Sequence, residues 1–352
     1  MHSTLKAQSY QGYIRQKKLV ILIIMALTII MALIAISSGS SGLPLNEVML
    51  TLLGKGTENA ARIVWNIRMP RIVTAVTAGA GLAVVGCVMQ GILRNPLASS
   101  STLGVSQGAA FGASIAIIYF GAGVQGQIFD GVTIINPYMI SICAFLSSMS
   151  AAAVILALSR FKKISPEAMI LCGVALSFLF SGGTTLMQYF ADDVKVAAVV
   201  FWTFGDLGRT SWREASIIAA VVSISLAYFS YNSWNYNVLQ GGQHTAKGLG
   251  VNVDGLRVVG MIICSLSASI IVSFVGIINF IGLIAPHLVR RLVGSDYRYL
   301  LPASAGMGAF LLLLSDTAAR LAAAPVILPI GAITSFFGAP MFLYLLFRGL
   351  PR

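Results

Sequence analysis

Charge is scarce in this chain. Only 10% of its 352 residues are charged, 11 acidic and 23 lysine or arginine, while 57% are hydrophobic. Soluble domains carry about 25% charged residues, so this composition excludes a soluble fold and describes a membrane protein. Cysteine is also rare. Cys87, Cys143, Cys172 and Cys264 each sit inside an apolar stretch with no CxxC spacing, which reads as helix-packing thiols without a disulfide or metal role. The three histidines, His2, His244 and His287, are too scattered for a metal site, and His287, after a proline at a helix end, reads as structural. There is no GxxxxGK[ST] phosphate loop and no HExxH. That argues against a self-contained ATP-driven pump and a zinc peptidase. No long polar linker divides the chain, so one polytopic domain is expected over 19–352, after a cytoplasmic N-terminal segment over 1–18.

What is present is a series of apolar runs. A membrane helix needs about 20 mostly apolar residues, and on that scale ten candidates are centred near residues 28, 80, 109, 148, 178, 222, 266, 284, 309 and 339. The first, "LVILIIMALTIIMALIAIS", follows Arg15, Lys17 and Lys18 as a secretory signal would, but exceeds the usual h-region of about 7 to 15 residues. A retained helix is expected. The eighth contains Pro286 and ends in arginines, so it is expected to be short or broken. The net charge of +12 does not indicate nucleic acid, because the basic residues are spread over short loops between apolar spans. With the N-terminus inside, 15 of the 23 lysines and arginines fall on the cytoplasmic side and eight outside, which predicts that both termini are cytoplasmic.

The exceptions carry information. "RMPR" places Arg68 and Arg71 at the outer mouth of the second span, near Arg62. Arginines at a membrane end either snorkel to lipid headgroups or grip a partner's carboxylate. Asp316 is the one acid set against a long apolar run, and its four-residue spacing from Arg320 predicts an ion pair at a helix end. Gly104, Gly108 and Gly112 recur every four residues, the pattern of close helix packing in lipid. In "LRNPLA", Asn95 reads as the cap of a helix beginning at Pro96, within a tight cytoplasmic turn. Gly182 and Gly183 leave the fifth span room either to bend or to pack closely.

The blocks "RMPRIVTAVTAGAGLAVVGCVMQGILRNPLASSSTLGVSQGA" (68–109) and "NFIGLIAPHLVRRLVGSDYRYLLPASAGMGAFLLLLSDTAARLAAAPVILPIGAITSFFGAPMFLYLLFR" (279–348) resemble the permease subunits of ABC importers for iron-siderophores, haem and cobalamin. The likeness covers nearly all of the chain beyond the first helix. It implies an all-α polytopic protein of about ten transmembrane helices per subunit, working as a homodimer or with a related permease in a bacterial cytoplasmic membrane. The implied partners are two ABC ATPase subunits, which use ATP and Mg, and an extracytoplasmic binding protein. No cofactor is expected in this subunit, and no enzymatic activity of its own.

The resemblance also assigns residues. Arg68, Arg71 and Arg320 are implied to project outward and pair with acids of the binding protein. Ala246, Gly248, Leu249, Gly250 and Val251 match the core of the coupling segment that enters an ATPase groove. Ser165, Pro166 and Glu167 fall at the cytoplasmic gate, ahead of the fifth helix that lines the path, though the glutamate departs from the family's small polar residues there. Ferric siderophore is the commonest cargo implied, with haem or cobalamin beside it. From the residues alone, an ion-coupled secondary transporter stands as the alternative. The residues at the arginine mouth are expected to contribute little to the packed bundle.

Overall fold

The computed structural model describes residues 10–38, 43–122, 136–162, 165–324 and 326–347. Among them every regular element is helical. In chain order these are α1 (Tyr10–Ser37), α2 (Leu45–Leu52), α3 (Glu58–Ile63), α4 (Met69–Ile92), α5 (Val105–Ile118), α6 (Pro137–Lys162), α7 (Pro166–Tyr189) and α8 (Asp193–Thr203), then α9 (Trp212–Tyr231), α10 (Ser233–Gln240), α11 (Gln243–Gly248), α12 (Val253–Val275), α13 (Ile281–Val293), α14 (Tyr297–Leu321) and α15 (Ile330–Phe347). Among the described residues seven helices are long and apolar enough to cross a membrane. All ten expected centres fall on helices. Three of those helices are shorter or incompletely described: α5, α13 and α15.

The second span begins earlier than its sequence suggests. Thr57 caps α3 by accepting from the Ala60 amide, and a π turn, Val64–Arg68, joins α3 to α4, so one apolar helix of 35 residues runs from Glu58 to Ile92. Pro70 lies inside it. A proline cannot donate to the carbonyl four residues back and its ring crowds that carbonyl; here that residue is Asn66, in the middle of the π turn, where the ladder is already widened. Arg68 and Arg71 therefore sit roughly three to four turns inside a helix and not at its start.

That long helix is the centre of the bundle, with 78% of its most apolar window buried. Glycines let neighbours reach its backbone. A Cβ at Gly79 would lie 2.4 Å from the Gly308 carbonyl oxygen of α14, and one at Gly86 would lie 1.7 Å from that of Gly282 in α13. Without a hydrophobic drive between helices in lipid, such close approach supplies the dispersion energy of packing. α1 runs along α14, where Thr28 donates to the Gly306 carbonyl at 3.2 Å. The first apolar run is thus a wall of the bundle.

Between α12 and α13 the backbone turns back inside the protein. Gly276 and Phe280 take positive φ, 82° and 64°. Such irregular backbone is tolerated at depth only when protein covers it, and here Val275 accepts from the Asp206 amide at 2.8 Å while Phe204 accepts from the Gly331 amide at 2.9 Å. The eighth span is accordingly short, as Pro286 and its arginines predict. Pro286 itself is accommodated inside α13.

The glycine stripe packs within the chain. Cβ atoms at Gly108 and Gly112 would meet the α6 backbone at 3.0 and 2.1 Å, whereas Gly104 precedes α5 with φ +80°. Asn95 departs from its expected role. Its side chain accepts from the Leu97 amide at 2.8 Å, but no helix begins at Pro96, because the chain makes a turn and a single 3-10 turn before α5. It forms a local turn instead of a helix cap.

Candidate functional site

Polar side chains gather at the two ends of α4. At its first end, Arg71 donates from Nε and Nη2 to Oδ1 of Asp316 at 2.9 and 2.8 Å. Arg320, one turn along α14, donates from Nε to Oδ2 of the same carboxylate at 3.0 Å, so the ion pair predicted from the spacing is present. One carboxylate with 1% of its side chain exposed lies between two guanidiniums that are 12% and 10% exposed. Asp206 Oδ1 also lies 3.7 Å from Nη2 of Arg71.

The remaining donors close the end of α1. A helix leaves its last four carbonyls without partners. Arg320 donates to Ser38 at 2.6 Å and Ala35 at 3.2 Å, and Arg68 donates to Ile36 and, at 3.3 Å, to Ser37. Cations at a helix C-terminus also complement its dipole. Arg68, Arg71 and Arg320 are brought together, but most of their capacity is used within the chain. That overturns the expectation that they add little to the bundle. Arg62 differs: among the described residues it pairs with Glu58 of its own helix, with 70% of its side chain exposed.

Beside Arg71 lies a cavity of about 330 Å³, walled by Phe204, Asp206, Arg209 and Leu328. Arg209 donates to the last carbonyls of α8, Phe201 at 2.6 Å and Trp202 at 3.4 Å. Burial pushes its guanidinium below the ordinary value, with Asp206 opposing the shift. Sequence reasoning missed Asp206: nothing in "FGDLGRT" ties it to a residue 135 positions earlier.

The opposite end of α4 meets the polar segment. α11 is a single turn and a half of helix whose Ala246 is fully buried, while Leu249 is 67% exposed. The Gly250 amide donates to Lys247 and the Val251 amide to Ala246, both at 3.0 Å, and this tight return needs φ +81° at Gly250. No neighbour lies within 4 Å of a Cβ built at Gly248 or Gly250. The segment is thus anchored by Ala246 and by Val251, which packs on the core, and has an open surface formed by Gly248, Leu249 and Gly250.

This end is fastened by Asp296. It caps α14, accepts from Asn237 of α10 at 2.8 Å and pairs with Arg298 at 2.7 Å, while Asn237 accepts from the Tyr297 amide at 2.8 Å. Burial pushes its carboxyl up, but the hydrogen bonds from Arg298 and Asn237 outweigh this and hold it at about 2, from an ordinary 3.8. Ser165 lies at the same end, where it caps α7 by accepting from the Ala168 amide at 3.3 Å, with Pro166 as the first helical residue and Glu167 in the first turn. α7 itself is an uninterrupted helix with only 11% of its most apolar window buried. Gly182 faces open space, whereas a Cβ at Gly183 would meet the Phe111 ring at 2.7 Å.

Among the described residues no cluster of three or more His, Cys, Asp or Glu is placed to hold a metal ion. Comparison with known proteins gives the context for these ends. The model of the FecCD transport family matches residues 27–348. A protein of Methanocaldococcus jannaschii named as an ABC transporter permease is 52% identical over 345 residues, 97% of each chain. The hemin transport system permease of Yersinia pestis is 33% identical, covering 92% of this chain and 94% of its own. A solved inward-facing transporter of the metal-chelate ABC type has 30% identity and a TM-score of 0.81, covering 94% of this chain and 99% of that one. A family model over most of the chain and relatives of this identity and coverage establish the context: this chain belongs to the FecCD transport family, the permease subunits of ABC importers of the iron-siderophore, haem and cobalamin type.

Proposed function

We propose that this permease forms half of a two-fold path for a ferric siderophore, crossing the membrane ten times with both termini in the cytoplasm. Membership of the family removes the ion-coupled alternative. The observation that carries the two-fold reading is α7. A membrane helix so little covered by its own chain, with Phe178 and Leu179 exposed on it, has surface left for a second permease subunit and for a passage. Ser165, Pro166 and Glu167, at the start of this helix, form the cytoplasmic gate.

The cargo reading draws on relatives named for Fe(3+)-citrate and iron(3+)-hydroxamate import; others are named for hemin and cobalamin. The test is uptake into proteoliposomes holding the permease, its ATPase and its binding protein, offered a ferric hydroxamate, haem and cobalamin in turn. Uptake of the ferric hydroxamate alone, dependent on ATP hydrolysis, is expected. Preferential uptake of haem or cobalamin would overturn the siderophore reading.

Docking of the binding protein falls to Arg68, Arg71 and Arg320, with the cavity beside Arg71 admitting an acidic side chain that shares a guanidinium with Asp316. Coupling to two ATPase subunits falls to Ala246, Gly248, Leu249, Gly250 and Val251. The open side of that segment suits a protein groove, and Leu249→Asp is its cleanest probe. Position 250 carries a positive φ that a side chain would strain, whereas Leu249 is already exposed. Co-purification with the ATPase is expected to fall at least tenfold with an unchanged melting temperature; unchanged co-purification removes the segment from the interface.

A further inference from the structure

The Arg94 end of α4 contains a cavity of about 270 Å³ that none of these roles uses. Its walls include Gln90, Arg94, His287, Arg290 and Tyr297, and no carboxylate lines it. Arg94 is exposed and Arg290 half-buried. No hydrogen bond or ion pair engages either guanidinium among the described residues, in contrast to the arginines at the far end of the same helix.

Two further features point inward. His287 is 2% exposed and Gln90 4%, yet both ring nitrogens of His287 and Oε1 of Gln90 are buried without a hydrogen-bond partner. Gln90 uses its other atom, Nε2, on the Leu283 carbonyl at 3.3 Å. A buried polar group left without a partner is costly, and these three atoms belong to two residues that line the cavity. Arg94 also holds φ +49°, one of only two non-glycine residues with positive φ among those described. The position closes α4, with the Asn95 amide donating to Gln90 at 3.1 Å, and glycine is the residue that takes it without strain. Keeping arginine there holds a guanidinium over the cavity at a conformational cost, and such strain is often stored at ligand sites.

We propose that this cavity binds a phosphate group, gripped by Arg94 and Arg290 with His287 donating from one ring nitrogen. Guanidinium forks match phosphate oxygens bidentately. A protonated phosphate oxygen or an attached alcohol donates to Gln90. The volume lies just below the range of drug-sized pockets, about 300–1,000 Å³, so it suits a headgroup or a small phosphate ester. The site lies where the spans end, the depth at which basic pockets between membrane helices meet anionic lipid headgroups. The phosphate therefore comes either from a lipid or from solution.

The test uses the full chain, delipidated in maltoside detergent, with melting temperature read against added ligand. Dihexanoyl phosphatidylglycerol, glycerol 3-phosphate and acetate are compared at equal concentration. A rise of several degrees with the lipid alone assigns a headgroup; a rise with both phosphates assigns a soluble ester. Arg94→Gly relieves the backbone strain while removing the guanidinium, so the unliganded protein should melt no lower than wild type, with the apparent phosphate affinity at least tenfold weaker. Arg290→Gln should weaken it likewise, and Arg291→Gln, removing one charge from the neighbouring position, should not. No rise with either phosphate, an equal rise with acetate, or a rise that survives in Arg94→Gly overturns the proposal.

Discussion

The two ends of α4 use the same side chain in opposite ways. At the first, Arg71 and Arg320 close on one buried carboxylate, and Arg68 and Arg320 cap α1. At the second, Arg94 and Arg290 face a cavity without a carboxylate in its wall. An arginine near a membrane boundary is therefore not a single kind of object. Whether its donors are engaged by the fold or remain available depends on what neighbouring helices bring within 3 Å, and that is set by the crossing of α4 with α1, α13 and α14.

The largest break in this comparison is expected from Asp316→Ala. It leaves two guanidiniums facing each other with little solvent, and removing one partner of a buried ion pair costs about 3–5 kcal/mol. Thermal unfolding of the purified chain should show a large loss of stability, or a failure to accumulate folded protein; a melting temperature within a degree of wild type would mean that the arginines are not held as described.

Asp296 sharpens the comparison from the other end, because there a single carboxylate does the fastening. Its folded-state value of about 2 lies below its ordinary 3.8, so the stabilisation is present above the ordinary value and is lost as pH falls through about 2. The contribution is about 2 kcal/mol. Melting temperature should carry a component that falls between pH 4 and pH 2 in the wild type and is absent in Asp296→Asn, the variant being less stable at pH 7.

The smallest effect is expected at Arg62. It belongs to the same marked group as Arg68 and Arg71, yet it is exposed and paired with an exposed glutamate. Surface pairs of this kind contribute little, and Arg62→Gln should stay within about 0.5 kcal/mol of wild type in urea or thermal unfolding. A larger loss would place Arg62 with the engaged arginines and erase the distinction within that end.

Much was legible in advance, and for a physical reason. Lipid allows only elements that satisfy their own backbone, so apolar runs of about 20 residues had to be helices, and all ten centres were readable from hydropathy alone. The i, i+4 pair of Asp316 and Arg320 was readable because both partners lie on one helix. The two long blocks around the arginines and the last spans likewise identified the family from sequence.

Arg71 and Asp316 are 245 residues apart, and no local periodicity encodes a contact between helices. The α1 carbonyls that Arg68 and Arg320 cap are backbone, identical in every sequence, and only the docking of α1 against α14 brings them there. The π turn ahead of Pro70 and the positive φ of Arg94 are responses of the backbone to packing and helix termination. The sequence by itself determined that this chain is a bundle of membrane helices with arginines at particular heights. Which arginines the fold consumes and which it leaves open was decided by tertiary structure, because hydrogen bonds over about 3 Å depend on how helices cross and composition does not.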